Sequence, residues 1–361
     1  MTDTTRITRR HFTTLAGATA GTLAMPYVAK AQQAINITIA SSHPVQNMWV
    51  GPMKNVFQPE VDKILAAGGK FKINWKEAYG GTLYKFQDTM EAVRDGITDF
   101  GFVGTLWESD TMPLSNVTYF TPFATDDHKL VISTFDKLAL ENEKLKAEWA
   151  KNNMIQLSSF VTDNYHLWTN FPVKTIEDLK NRKLGAPGTT ANWLAGTGAI
   201  PVDGALTTFY TNIQTGVTDG AMSFAIGILP TRVYEVAKYI TKVNLGVMYV
   251  GGLGVNKSNF DKQPKEVQDA FRAAGRVLST KHGEDISARM DSAFDEMAKK
   301  HGSIITDLAA PEREKWIKSV PNIAKTFAGM SPDGGALLKS YFDTLRAAGK
   351  KPGREWDKEI G

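Results

Sequence analysis

The 361-residue chain contains no cysteine. That excludes structural disulfides, thiolate metal sites and a cysteine nucleophile, while leaving the compartment open. Its histidines (His11, His43, His128, His166, His282 and His301) are scattered, and none stands at a metal-ligand spacing from another. No G-x-S-x-G elbow occurs. The run Gly251-Gly252-Leu253-Gly254 has Asn256 before Lys257, where a phosphate loop needs glycine, and reads as a strand bend. Glu108 and Asp110 stand two apart, a spacing that does not share a helix face, so they fit a solvated loop better than a catalytic carboxylate pair. Neither catalysis nor a metal or cofactor is expected. No low-complexity segment divides the chain.

A membrane-spanning run is missing too. Residues 13–29 are uncharged but rich in Gly, Ala and Thr and interrupted by Pro26, short of the roughly 20 strongly apolar residues that span a bilayer. With TRRHF (8–12) ahead of them and Ala29-Lys30-Ala31 behind, they form an export leader of the twin-arginine type. Cleavage is expected after Ala31, with a periplasmic mature protein. Residues 1–31 carry Arg6, Arg9, Arg10 and Lys30 against Asp3, a net +3, which leaves about +1 of the chain's +4 on the mature protein. The basic balance therefore belongs to the leader and gives no reason to expect nucleic acid or an anionic membrane as partner.

What remains is ordinary in composition, 42% hydrophobic and 22% charged, and long enough for two domains with real cores. EAVRDGITDFGFV (91–103) and TNIQTGVTDGAMS (211–223) match at an offset of 120 residues. Each reads as a helix end, a glycine suited to a left-handed terminator (Gly96, Gly216), a β-branched residue, Thr-Asp and a buried strand. Upstream, KFKINWKEAYGG (70–81) and NRKLGAPG (181–188) each read as a strand ending in a turn. A β-strand, helix, β-strand unit repeated in this way predicts two similar α/β lobes.

ITIASSHP (37–44) reads as the opening strand, and VMYVGGLGVNK (247–257) as a strand pair returning to the first lobe. Pro264 opens a helical tract to about residue 301, which Gly275 and Gly283 weaken without ending. A helix that long braces both lobes. The last segments, PEREKWIKSVPNIAKTFAG and ALLKSYFDTLRAAGKK, read as amphipathic helices on the second lobe. The expected division is a leader at 1–31, lobe I at 32–162 plus 247–286, and lobe II at 163–246 plus 287–361.

Aromatic residues gather near the predicted strand ends: Trp49, Trp107, Tyr165, Trp168, Phe209 and Phe224. Each alone fits a core, but several at cleft-facing ends suggest a small-molecule pocket.

The segments ASSHPVQNMW (40–49), YGGTLYKFQDTMEAVRDGITDFGFV (79–103), TIEDLKNRKLGAPG (175–188), FYTNIQTGVTDGAMS (209–223) and VYEVAKYIT (233–241) resemble substrate-binding proteins of tripartite ATP-independent periplasmic (TRAP) transporters, over residues 35–345. The resemblance implies a two-lobed periplasmic binding protein fold with a hinge, interdigitated lobes and a long helix spanning both. It implies closure on one small organic ligand and docking, as a monomer, on TRAP membrane permease subunits. It also implies a carboxylate ligand, held by an arginine after DLK-x-x-K, an asparagine three residues beyond VDG, and a further basic position. In this chain those places hold Gly185, Ser223, and Tyr165 or His166. Arg182, Lys183 and Arg232 are not convincing substitutes.

A ligand other than a simple dicarboxylate is therefore expected. A cationic amine or betaine would be held by the aromatic faces, with Glu77, Glu108 or Asp163 as counter-charge; a neutral or aromatic solute would stack between them. The alternatives are a carboxylate held by a different cation, and a periplasmic sensor subunit that presents its ligand to a receptor.

Overall fold

The computed structural model describes residues 32–85 and 88–361, so the leader lies outside the described residues. Twelve strands occur among them: β1 (Gln33–Ala40), β2 (Phe71–Ala78), β3 (Phe100–Gly104), β4 (Met154–Gln156), β5 (Phe160–Val161), β6 (Tyr165–Thr169), β7 (Lys183–Gly185), β8 (Ile200–Val202), β9 (Gly220–Phe224), β10 (Tyr239–Lys242), β11 (Tyr249–Asn256) and β12 (Ile304–Asp307). They form two sheets, ordered β2-β1-β3-β11-β4 with β5 also on β11, and β8-β7-β9-β6-β10-β12. In each sheet three parallel strands lead into an antiparallel fourth, β11 or β6. That fourth strand is the one entered on crossing from the other sheet, so the lobes are interdigitated.

The repeated segment explains the likeness. Gly96 and Gly216 have φ of 75° and 74°, the left-handed conformation glycine adopts without a Cβ penalty. Each reverses the chain from a short helix (Thr89–Arg94, Phe209–Gln214) into β3 or β9. The aspartates that follow do the same work twice. Asp99 accepts a hydrogen bond from the Thr38 N–H at 2.8 Å, and Asp219 accepts one from the Lys183 N–H at 2.8 Å. Each carboxylate thereby ties the incoming strand to its parallel neighbour.

Two chain crossings run side by side between the sheets. Thr162 N–H donates to the Met248 carbonyl, and Tyr165 N–H and Leu245 N–H each donate to the other crossing. Asn164 adds bonds to Gly246 N–H (2.8 Å) and Asn244 (3.0 Å). The third connection is the helix Lys265–His301, 37 residues long and about 55 Å at 1.5 Å per residue. Phe271 packs edge-on against Phe100 under the first sheet, at 4.9 Å between ring centres. Phe294 stacks on Trp168 of β6 at 6.3 Å. The helix is continuous through Gly275, where a Cβ would come within 2.2 Å of the Leu157 carbonyl oxygen; glycine is what lets it lie that close to the first lobe.

Two expectations change. VMYVGGLGVNK contains one strand rather than a pair, with the predicted bend at Gly251 (φ 119°), where the pairing of β11 with β5 shifts register. The final helices, Ile323–Met330 and Gly334–Ala347, do not sit on the second lobe: they pack on residues 114–141, which join β3 to β4 of the first sheet. Phe327 meets Phe120 at 5.7 Å, Tyr341 meets Phe135 at 6.3 Å, and Trp356 Nε1 donates to the Pro122 carbonyl at 2.8 Å. Amphipathicity showed that these helices bury one face; it carried no information about which lobe supplies the partner. No helix among the described residues is long and apolar enough to cross a membrane.

Candidate functional site

Parallel strands leave their carboxyl ends on one side of a sheet, and open α/β proteins bind ligands there. In this chain the carboxyl ends of β1, β2 and β3 face those of β8 and β9. Two adjoining cavities lie between them. An inner one of about 290 Å³ is walled by His43, Asn47 and Met48 from the first side and by Leu206, Tyr210 and Gly227 from the second. An outer one of about 340 Å³ is walled by Ser42, Gly80, Gly81, Lys85 and Trp107 on the first side and by Asp203, Ala205 and Thr208 on the second. Thr207 lines both. Two further hollows, around Leu140 and Arg272, are confined to the first lobe and the long helix and do not involve both sheets.

Most of the aromatic residues expected at the site form the layer behind these walls. Trp49 is 2% exposed, stacks on Phe102 at 4.8 Å and donates from Nε1 to the Val161 carbonyl at 3.0 Å. It meets Phe224 of the other lobe at 5.7 Å. Phe224 lies against Gly227, where a Cβ would be 2.4 Å from its ring. Tyr165 packs edge-on against both Phe224 and Trp193, each at 5.2 Å. Trp107, by contrast, is half-buried and lines the outer cavity directly.

His166 and Trp168 belong elsewhere. Alternation along β6 turns them to the opposite face from Tyr165, together with Ser223, which pairs directly with His166. There His166 Nδ1 accepts from the Asn244 N–H at 3.2 Å, and burial, helped by the Lys242 charge, pulls its pKa down to about 3. Gly185 is covered by Phe209: a Cβ at 185 would stand 2.8 Å from Phe209 Cε1 and 3.3 Å from Ala221 Cβ. Phe209 also lies against Gly204, an outer-cavity residue, so it supports the wall from behind.

The charged candidates are engaged away from the cavities. Glu77 pairs with Lys54 and accepts from Gln58 Nε2 at 3.2 Å. Glu108 accepts from Thr111 Oγ1 at 3.4 Å, and its pKa is raised by burial and by Glu91. Asp163 is buried at the start of the second lobe. It accepts from the Ala225 and Ile226 N–H groups at 3.0 and 3.4 Å, and burial pushes its pKa up to about 7. Arg182 lies over the Phe171 ring at 4.2 Å, and Arg232 pairs with Glu235. Lys183 is exposed at the start of β7.

Sequence reading missed Lys85, Asp203, Thr207, Thr208 and Tyr210. All follow strand ends or their turns, and Asp203 comes directly after the short strand Ile200–Val202. Position relative to a strand end was the available signal; aromatic character was the misleading one. His43 is kept neutral here, since burial lowers its pKa to about 4, and its Nδ1 lies 3.1 Å from Ser42 Oγ.

The family profile "DctP: Bacterial extracellular solute-binding protein, family 7" matches residues 39–329. The chain is 26% identical over 272 residues to the ectoine/5-hydroxyectoine-binding periplasmic protein UehA of Ruegeria pomeroyi, covering 72% of this chain and 77% of that protein. It is 22% identical to the ectoine-binding periplasmic protein TeaA of Halomonas elongata, covering 73% and 77%. Among solved structures it is similar to DctP6 of Bordetella pertussis, an extracytoplasmic solute receptor binding pyroglutamic acid (TM-score 0.75, 21% identity, 87% and 100% of the two chains). A TRAP periplasmic solute-binding protein of Sulfitobacter sp. NAS-14.1 with bound β-D-galacturonate is comparably close (TM-score 0.73, 19% identity, 86% and 100%). These relatives are binding receptors, not enzymes. The profile matches most of the chain, and the two-lobed fold with cavities at facing strand ends agrees with it: this protein belongs to the bacterial extracellular solute-binding proteins of family 7.

Proposed function

We propose that this protein is exported by its twin-arginine leader, captures one small organic solute between its lobes, and delivers it as a monomer to a TRAP permease. The observation that carries the reading is the pair of adjoining cavities walled by strand ends of both sheets, since a ligand there touches both lobes and favours their closed arrangement. Closure turns on the crossings at Thr162–Asn164 and Val243–Met248 and on the long helix. Lobe I spans 32–162 and 247–286, and lobe II takes in 163–246 and 287 onward until the chain returns to the first lobe near Asn322.

The ligand is not a simple dicarboxylate. Phe209 fills the space a side chain at Gly185 would need, and none of Arg182, Lys183 or Arg232 lines either cavity. A cationic amine or betaine, or a neutral or aromatic solute, is favoured. One observation supports a second reading, a carboxylate held by a different cation: Lys85 lines the outer cavity. The named relatives bind ectoines, pyroglutamic acid and β-D-galacturonate, small organic solutes of a size that suits these cavities. A thermal-shift panel of dicarboxylates, amines, betaines and aromatic compounds tests the reading. Stabilisation by a betaine, amine or aromatic compound is expected, and tight binding of malate or succinate would overturn the exclusion of dicarboxylates.

A further inference from the structure

We infer that the outer cavity selects a dipolar solute, whose anionic end meets Lys85 on the first lobe and whose cationic end meets Asp203 on the second, with the Trp107 ring as a wall between them. The inference rests on the reading of the cleft as the solute site and names the ligand class for it.

Four observations carry it. First, Lys85 and Asp203 line one cavity from opposite lobes. Second, both are exposed, and neither has an ion-pair partner among the described residues. The Lys85 ammonium reaches the Gly81 carbonyl at 3.5 Å, and Asp203 accepts from the Gly188 N–H at 3.3 Å. Third, that last bond ties Asp203 to Gly188, where the second lobe lies against the first: a Cβ on Gly188 would stand 2.6 Å from the carbonyl oxygen of Leu106, the residue before Trp107. Asp203 and Trp107 therefore each stand one bonded or sequence neighbour away from that contact, on opposite sides of it. Fourth, the inner cavity carries no full charge, because His43 is neutral and its other wall residues are apolar or amides and hydroxyls. Charge recognition is confined to the outer cavity.

The ligand class follows from what closure does to these two groups. Closing the lobes removes water from both, and a charge left unpaired in a drying site is strongly disfavoured. A dicarboxylate answers Lys85 but sets its second anion towards Asp203. A simple cation answers Asp203 and faces Lys85. A solute carrying one charge of each sign pairs with both, and it does so only when both lobes hold it. The same pairing gives closure its ligand dependence, since each open lobe offers only half of the recognition. Trp107, half-buried, lines the same cavity beside these two groups.

Three compounds built on one five-membered ring separate the charges. They are proline betaine (both charges), N,N-dimethylpyrrolidinium (cation only) and cyclopentanecarboxylate (anion only). Isothermal titration of each into the full mature protein and its Lys85→Gln and Asp203→Asn variants reads the site. Proline betaine is expected to bind at least tenfold more tightly than either single-charge compound. Lys85→Gln should weaken it at least tenfold without weakening dimethylpyrrolidinium, and Asp203→Asn should weaken it without weakening cyclopentanecarboxylate.

Equal affinity of the betaine and one single-charge compound overturns the inference, as does betaine binding unchanged in both variants. Equal weakening of all three compounds by both variants also overturns it, and would mean that Lys85 and Asp203 pair with each other across the cleft. Failure of proline betaine to bind at millimolar concentration overturns the dipolar assignment alone. The receptor reading falls separately, when native mass spectrometry of protein purified from the periplasm finds no small molecule and no compound of the wider panel binds.

Discussion

The two sheets agree at one end and differ at the other. At the amino ends of β3 and β9, Gly96–Asp99 and Gly216–Asp219 make the same turn and the same aspartate bond to the neighbouring strand. At the carboxyl ends the first sheet presents Lys85 and Trp107 and the second Asp203 and Thr207. The repeat thus preserves bonds that build a lobe and leaves free the loops that meet a ligand, which is how a rigid scaffold carries variable recognition.

The largest expected effect comes from the place where the two sheets solve one packing problem differently. Ala40 pairs with Gly101 in the first sheet, and Gly185 pairs with Ala221 at the corresponding position of the second. One partner must be small in each. Over Gly101 the space is taken by Val93 and the Tyr84 hydroxyl, while over Gly185 it is taken by the Phe209 ring. Gly185→Arg forces Phe209 out of a buried position and should cost about 3 kcal/mol by overpacking, read as a lower midpoint of chemical denaturation. Adding Phe209→Ala should recover part of that loss. If Gly185→Arg alone is neutral, Phe209 does not block the site and the exclusion of dicarboxylates loses its support.

The aspartate bonds sharpen the comparison at the end the sheets share. Asp99 has a second partner, Asn259 Nδ2 at 2.8 Å, whereas Asp219 is 4.0 Å from Arg182, which is 45% exposed. Bonds to a charged group contribute roughly 1.5–3 kcal/mol each, and exposed ion pairs little. Asp99→Ala should therefore destabilise by about 3 kcal/mol and Asp219→Ala by about 2 kcal/mol. Equal losses in denaturant titrations would show that the Asn259 bond contributes nothing.

These contrasts also mark what could be read in the sequence. The Gly-x-Thr-Asp repeat exposed the two lobes because its spacing records a local turn, and local turns are written in adjacent residues. The long helix was legible for the same reason, from Pro264 to about residue 301; a left-handed Gly302 (φ 69°) ends it. Of the cavity walls, Trp107 was legible and most of the rest was not. Trp49, Phe209 and Phe224 were chosen for being large and apolar, and that property sent them behind the wall. Lys85 and Asp203 went unmarked because nothing local shows that their loops face each other across a cleft. Which lobe the C-terminal helices pack on was illegible on the same grounds.

A smaller effect separates the segments that lead into the two antiparallel strands. Tyr165 opens β6 and Tyr249 opens β11; two residues before each stand Asp163 and Val247. The charged one carries a pH dependence. Its pKa rises from 3.8 to about 7 on folding because burial disfavours the carboxylate, opposed by the Ile226 and Ala225 N–H bonds and the Arg289 charge. A raised folded pKa means the native state binds the proton more tightly. The stability from this group is whole below about pH 4 and is lost as pH rises through about 7. The slope is at most about 1.4 kcal/mol per pH unit. Asp163→Asn should flatten this fall between pH 5 and 7, while Val247→Ala should leave its shape unchanged. Parallel pH profiles for wild type and Asp163→Asn would place the titration elsewhere.

The smallest effect tests the shared end again, from outside. Ile97 and Val217 occupy the same position of the repeat, directly after the left-handed glycines, and are 56% and 47% exposed. Neither gains much from burial there; what they share is β-branching, which favours the extended backbone entering a strand. Serine at either position keeps the turn and loses only that bias. Changes within about 0.5 kcal/mol are expected for Ile97→Ser and Val217→Ser, similar in both lobes. A loss several times larger at one position only would mean that the two turns, alike in their glycines and aspartates, are stabilised differently by what packs beside them.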